Sequence, residues 1–288
     1  MKIYDCFTFY NELDLLELRL ENLYDHVDHF VIVEGSTTYT DIPKPYYFEE
    51  NKARYSKWLD KIIHVKVDDM PHSPDAWVND IFQRNQINRG LINASPDDII
   101  IVSDLDEVLR AEAVDSMRAD DDVNIWGLRM PLFNFKFNYM LTTADKYTVW
   151  GMATRKKFMV PADEFRRQRF NLVNFPYAYK GNGVRLVEHA GWQWTYLGDT
   201  EFARNKIKSF AHTETNIPEI VENLDVERSV QQGDGIGYSP DYRFAAVKLD
   251  DYFPKVIRDN LEKYQKYIAA DPVKQVSDFI PVNIVDTV

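Results

Sequence analysis

Three carboxylates crowd one short stretch of the chain: Asp104, Asp106 and Glu107 follow almost directly on Ile99-Ile100-Ile101-Val102. Four consecutive β-branched residues after the acidic turn Pro96-Asp97-Asp98 read as a strand buried on both faces, at the centre of a parallel sheet. Acids gathered at the carboxyl end of such a strand repel one another and resist desolvation unless a positive partner is present. Oxygen ligands of this kind suit hard ions, Mg²⁺ or Mn²⁺, which keep several waters and take phosphate oxygens as further ligands. Ligands of open α/β sheets also bind outside the carboxyl ends of the strands. The plainer alternative is that Asp104 and Asp106 cap a following helix, whose first turn favours acids.

The elements that must position this stretch are legible as a β-α-β series. Lys2 to Phe9 reads as a first strand, and Asn11 can cap a helix carrying Leu13, Leu16, Leu20 and Leu23 on one face. Val27 to Glu34 is a second strand, ending in the polar loop Glu34-Gly35-Ser36-Thr37, and Ile62 to Val67 is a third. Ala76 to Ala94 is expected to be one helix with Val78, Ile81, Phe82, Leu91 and Ile92 inward. Asn85 falls on that same face and must find a hydrogen-bond partner there. Beyond the central strand, Ala111 to Met117 reads as a helix and Val123 to Phe137 as aromatic strand. Lys146 to Pro161 suggests one or two strands, and Trp192 to Leu197 another. Thr200 to Ala211 is expected to be a helix, and Tyr252 to Ile268 a longer amphipathic one. The expected class is α/β, with a mostly parallel central sheet flanked by helices, in a single domain over 1–288 with an irregular tail from about 270.

Composition narrows the function. At 288 residues, 45% hydrophobic and 14% aromatic, the chain can bury a sizeable core, and its net charge of -12 argues against a nucleic-acid partner. A polyanionic ligand therefore needs a cation or a local basic cluster. Arg155-Lys156-Lys157 and Arg166-Arg167-Gln168-Arg169 form the dense basic patch, of which Arg155 to Lys157 either steers an anion or is a solvated face. The single cysteine, Cys6, excludes an internal disulfide and reads as an inert core residue of the first strand. No run approaches the ~18 apolar residues of a membrane span. The amino terminus runs straight into strand pattern without a leader, so a cytoplasmic protein is expected.

Taken together, YDCFTFYNELDLLELRL, FVIVEGSTTYT, FQRNQINRGL, IIIVSDLDEVL and HAGWQWTYLG followed by KIKSFAHTE resemble glycosyltransferase family 17, in a consistent order over roughly positions 3 to 214. The resemblance implies a glycosyltransferase-A fold, one Rossmann-like sheet holding a UDP-sugar, with N-acetylglucosamine as the sugar. It implies a glycan or glycoconjugate acceptor, Mn²⁺ or Mg²⁺ bound by Asp104 and Asp106, and inversion at the anomeric carbon. In related transferases a loop and a helix flank the nucleoside; Glu34-Gly35-Ser36-Thr37 and Gln83-Arg84-Asn85 stand in the corresponding places.

On that resemblance, Glu34 would accept from a base N–H or a ribose hydroxyl, if it is not simply a loop acid. Ser36 belongs to the same loop. Arg84 and Asn85 would contact base or phosphate; alternatively Arg84 is a helix charge paired with Asp80. Phe7 and Tyr10 either wall the uracil ring or belong to the core. His189 or His212 would complete the metal shell, and an imidazole ligand would tilt preference toward Mn²⁺. Inversion needs a general base for the acceptor hydroxyl, for which Glu188, Asp145 and Asp199 are the candidates. Trp150, Trp192 and Trp194 suit stacking on sugar faces or the core equally. Two rivals remain. The spelling D-x-D-x-V-L also fits haloacid-dehalogenase-like phosphatases, with Asp104 as nucleophile, Asp106 as general acid and Mg²⁺. A carbohydrate-binding module without catalysis would keep the aromatic surface and no working metal site.

Overall fold

The computed structural model describes residues 1–142, 147–174, 183–236, 242–272 and 274–280. The chain opens with β1 (Ile3–Thr8), α1 (Leu13–Leu23), β2 (His29–Gly35), α2 (Tyr47–Glu50), β3 (Ile62–Val67), α3 (Ala76–Asn85), α4 (Ile87–Gly90) and β4 (Ile99–Asp104). These four strands pair in parallel in the order β3-β2-β1-β4, with Cys6 opposite both Val31 and Val102. The β-branched run at Ile99 divides between two cores, as the period of two requires. Ile99 and Ile101 pack with Phe7, Phe30 and the leucines of α1, while Ile100 and Val102 pack with Cys6, Val31, Ile87 and Phe165. Full burial of each such side chain contributes about 1.5–3 kcal/mol. Gly90 lets α4 press onto the sheet, since a Cβ there would meet Val31 at 2.3 Å.

Next come β5 (Glu107–Leu109), α5 (Ala111–Ala119), β6 (Ile125–Asn134), β7 (Tyr139–Leu141), β8 (Tyr147–Arg155), α6 (Ala162–Arg167), α7 (Arg169–Asn174), β9 (Val184–Val187), β10 (Gly191–Thr195), α8 (Thr200–Ser209) and β11 (Phe244–Ala246). Here the pairing becomes mixed. β8 runs antiparallel to β4 and to β6, whereas β9 and β10 lie parallel to β6. The α/β class holds, and the parallel character is concentrated in the half that carries β1 to β4. Among the described residues no helix is long and apolar enough to cross a membrane.

Two expected helices differ. The Ala76–Ala94 helix breaks at Gln86 into α3 and α4, and its inward face is polar: Asn79, Asp80, Gln83 and Arg84 are buried while Val78 and Ile92 are exposed. That face lines a cavity, which reverses the sense of the apolar periodicity. The Tyr252–Ile268 segment breaks at Asn260 into the turns Lys255–Arg258 and Leu261–Tyr264, burying Ile257 and Tyr264 but not Leu261. Beyond position 270 the described residues include one short helical turn, Val276–Asp278, and Val276 and Ile280 are buried against the main core.

This late segment is tied back to α1 by charge. Asp14 accepts from Tyr267 Oη at 2.6 Å and pairs with Lys266 at 2.8 Å and with Arg54. Burial opposes ionisation of Asp14, but hydrogen bonds from Arg54, Lys266 and Tyr267 outweigh it and hold the carboxyl well below its usual 3.8. A depressed carboxyl stabilises the native state above its unfolded value and loses that contribution as pH falls through the native one. Asp14→Asn is therefore expected to lower the urea midpoint at neutral pH, with the gap to wild type closing in strong acid. A gap independent of pH would contradict this.

Candidate active site

A cavity of about 510 Å³ opens where the carboxyl ends of β1, β2 and β4 meet. Thr8 and Tyr10 after β1, Thr37 to Tyr39 after β2, and Asp104 to Glu107 after β4 form one side. Asp80, Gln83 and Arg84 of α3, Asp163, Arg166 and Arg169 of α6 and α7, Gln193 of β10 and Lys206 of α8 complete it. This is the location that the topology of an open α/β sheet predicts for a ligand.

The turn carrying the two aspartates is held from beneath by a fully buried arginine. Arg19 of α1 donates to the backbone carbonyls of Asp104 (2.7 Å), Leu105 (3.1 Å) and Glu107 (3.1 Å), to Ser103 Oγ (2.6 Å) and to both oxygens of Asp5. From above, the Glu107 carboxylate accepts the Asp104 N–H at 2.9 Å and pairs with Arg166. Burial, offset by Arg166 and reinforced by Asp104, pushes the Glu107 carboxyl up to about 7.

Charges in the cavity are interleaved. Asp104 Oδ1 accepts from Arg84 at 3.1 Å and Oδ2 from Arg166 at 2.7 Å. Burial disfavours its ionised form, yet Arg166, Arg84 and Arg169 together hold it well below the usual carboxylate range. For Asp106 burial wins: its carboxyl is raised, against the pull of Lys206 and with help from Asp104. Asp106 Oδ2 lies 2.8 Å from Lys206 Nζ, and its Oδ1 receives only a 3.4 Å contact from Gln193. Burial and the neighbouring Arg166 bring the Arg169 guanidinium down to about 10, which still leaves it cationic at neutral pH and part of a basic wall.

Among the described residues no three carboxylate, imidazole or thiolate groups come together as a ready metal set. The donor chemistry nonetheless suits a hard cation. Asp104 and Asp106 face one cavity, and beside Asp106 the buried Gln193 Oε1 has no hydrogen-bond partner, leaving an amide oxygen uncommitted.

The residues singled out by sequence divide sharply. Asp104, Asp106, Arg84, Tyr10, Trp150 and His212 line the cavity. Arg84 combines both of its expected roles, pairing with Asp80 and with Asp104 and Asp163. His212 stands apart from the two aspartates, its Nδ1 bonded to Glu214 at 2.5 Å and its ring edge-on to Trp77. The others lie elsewhere. Phe7 is core, packed beneath the Arg19 guanidinium at 4.3 Å, and Phe9 lines the cavity in its place. Glu34 is wholly buried and accepts from the Tyr47 and Phe48 N–H groups at the start of α2, with Lys44 and His64 beside it. Ser36 is taken up in backbone bonds to Val67 and Lys44. Asn85 finds its partner in the Asp163 N–H, capping α6.

Of the proposed bases, Asp199 caps α8 through the Phe202 N–H, and Glu188 is paired with Arg129 outside the cavity. Asp145 lies outside the described residues. His189 sits on a turn beside Tyr147 and Tyr252, away from the cavity lining. Trp192 and Trp194 are buried and stacked on each other, 5.4 Å apart. Arg155 is likewise structural, bonding the carbonyls of Asp120 and Val123. Sequence reasoning passed over Glu12, Gln193, Arg19 and Lys206; only the charge of Arg19 within the leucine row of α1 marked any of them.

Comparison with known proteins bears on this arrangement. A rat β-1,4-mannosyl-glycoprotein 4-β-N-acetylglucosaminyltransferase is 29% identical over 311 residues, covering 95% of this chain and 55% of the relative. The mouse protein of the same name is 28% identical with the same coverage. The chain thus spans about half the length of the curated relatives it matches. Among solved structures, a 4-diphosphocytidyl-2C-methyl-D-erythritol synthase is 13% identical with a TM-score of 0.39, over 65% of this chain and 89% of that one. The profile described as Glycosyltransferase family 17 matches residues 1–236, and with most of its length so matched the chain belongs to glycosyltransferase family 17.

Proposed function

We propose that the cavity binds a UDP-sugar, with N-acetylglucosamine as the sugar, and transfers it with inversion to a hydroxyl of a glycan or glycoconjugate. The observation that carries this reading is the meeting, in one cavity at the carboxyl ends of parallel strands, of Asp104 and Asp106 with Arg84, Arg166 and Arg169. A diphosphate entering there would draw the guanidiniums to itself through charge-assisted hydrogen bonds. The aspartate oxygens so released, with Gln193 Oε1, would hold Mn²⁺ or Mg²⁺. When bound, such an ion neutralises charge on the diphosphate.

The chain's own groups supply the rest. Tyr10 and Tyr39 offer rings at the nucleoside end, and Trp77, Phe210 and Trp150 offer faces for sugar rings. His212 is oriented by Glu214 through Nδ1, which leaves Nε2 to take the acceptor proton. The phosphatase reading is less well served, because both oxygens of its nucleophile, Asp104, are engaged by arginines.

Thermal denaturation with nucleotide-sugars, with and without Mn²⁺, tests the proposal, since a ligand bound to the native state raises Tm by mass action. UDP-N-acetylglucosamine with Mn²⁺ is expected to give the largest rise, and UDP to be released when an oligosaccharide is added. No rise with any nucleotide-sugar, together with phosphate release from p-nitrophenyl phosphate, would overturn it.

A further inference from the structure

Resting on the donor reading above, we propose that Lys206 is a catalytic residue whose ammonium takes up the charge that builds on the departing β-phosphate oxygen. Lys206 comes from α8, about a hundred positions after the aspartates, and its side chain is only 12% exposed in the cavity wall. Buried Ala203 and Ile207 fix the helix against the fold, and on the same cavity side Ser209 Oγ meets Tyr10 Oη at 3.2 Å. The lysine Nζ sits 2.8 Å from Asp106 and 3.2 Å from Glu12. An ammonium has three N–H donors. Asp106 and Glu12 take up two of them, and besides the Tyr196 ring, 5.9 Å from Nζ, no other contact of the ammonium is found among the described residues. A charge held in place before the reaction, in a site screened from water, costs no reorganisation when the bond breaks.

In the step itself the acceptor oxygen forms a bond to the anomeric carbon, and the bond from that carbon to the β-phosphate oxygen breaks. The electron pair stays on the phosphate oxygen. The acceptor proton goes to His212, and Lys206 donates a hydrogen bond while remaining protonated. UDP bears a charge on that oxygen which the intact UDP-sugar does not. Lys206 should therefore favour the product diphosphate over the donor.

The experiment compares wild type, Lys206→Met and Lys206→Arg for kcat, and for the Kd of UDP and of UDP-N-acetylglucosamine with Mn²⁺ by calorimetry. In K206M, kcat is expected to fall about 100-fold or more, as for loss of one preorganised donor. UDP should weaken about tenfold more than the UDP-sugar, and K206R should recover part of both. If UDP and UDP-sugar weaken equally, or kcat stays within a few-fold, Lys206 only neutralises Asp106 and the proposal is wrong. Should K206M lose its fold, Lys206→Gln carries the same comparison. Wild type that neither binds nor turns over UDP-sugars would instead defeat the donor reading.

Discussion

Asp106→Asn is expected to lower sugar transfer by about three orders of magnitude while leaving the melting temperature close to wild type. The Asp106 carboxylate is the negative half of the pair with Lys206 and the aspartate with the freer oxygen. Asn keeps the shape and the contact to Gln193 but removes the charge that would hold a cation. Loss of one preorganised electrostatic contact costs roughly 10²–10³ in rate, and a cation held through Asp106 would add more. Stability is largely spared because Glu12, 3.2 Å away, still pairs with Lys206, while burial already opposes ionisation of Asp106. The check is UDP release and product formation, each measured with Mn²⁺ and with EDTA. Transfer within about tenfold of wild type, unchanged by EDTA, would remove the metal from the mechanism.

The second large effect falls on the fold. Arg19→Met is expected to cost about 3–5 kcal/mol, the usual penalty for removing one member of a buried charge pair. Asp5 would remain buried without its partner, and three carbonyls of the Asp104 turn would lose their donor. Methionine fills most of the volume, so the loss is electrostatic rather than a cavity. Urea unfolding followed by far-UV circular dichroism measures it. The double variant Asp5→Asn, Arg19→Met should be less unstable than the sum of the single variants, because the two residues share one interaction.

What sequence disclosed, and what it hid, follows from how each signal arises. The strand at Ile99–Val102 and the aspartates after it were legible because burial on both faces writes a continuous apolar run, and Phe30–Val33 of β2 is legible for the same reason. Helix α3 misled because its inward face borders a polar cavity rather than the core, so Trp77 and Val78 are exposed, although Phe82 packs against the second core as expected. Arg166 was visible only as one charge within a basic run, and Lys206 had no local signature at all. Each is one charge on an ordinary amphipathic helix, and only the crossing of distant segments makes it part of the site. Glu34 and Asn85 were noticed for the right chemistry, hydrogen bonding at a loop and on an apolar face, but the partners are backbone amides of α2 and α6.

The order in which the cavity's charges occur along the chain has its own consequence. Glu12, Asp80, Asp104, Asp106 and Glu107 all precede Arg166, Arg169 and Lys206, with Arg84 and Lys44 as the early cations of the cavity wall. A ribosome delivers the acids first. Until α6 and α7 emerge, the nascent parallel half exposes carboxylates that outnumber its cations, and Asp106 must wait longer still, for Lys206 of α8.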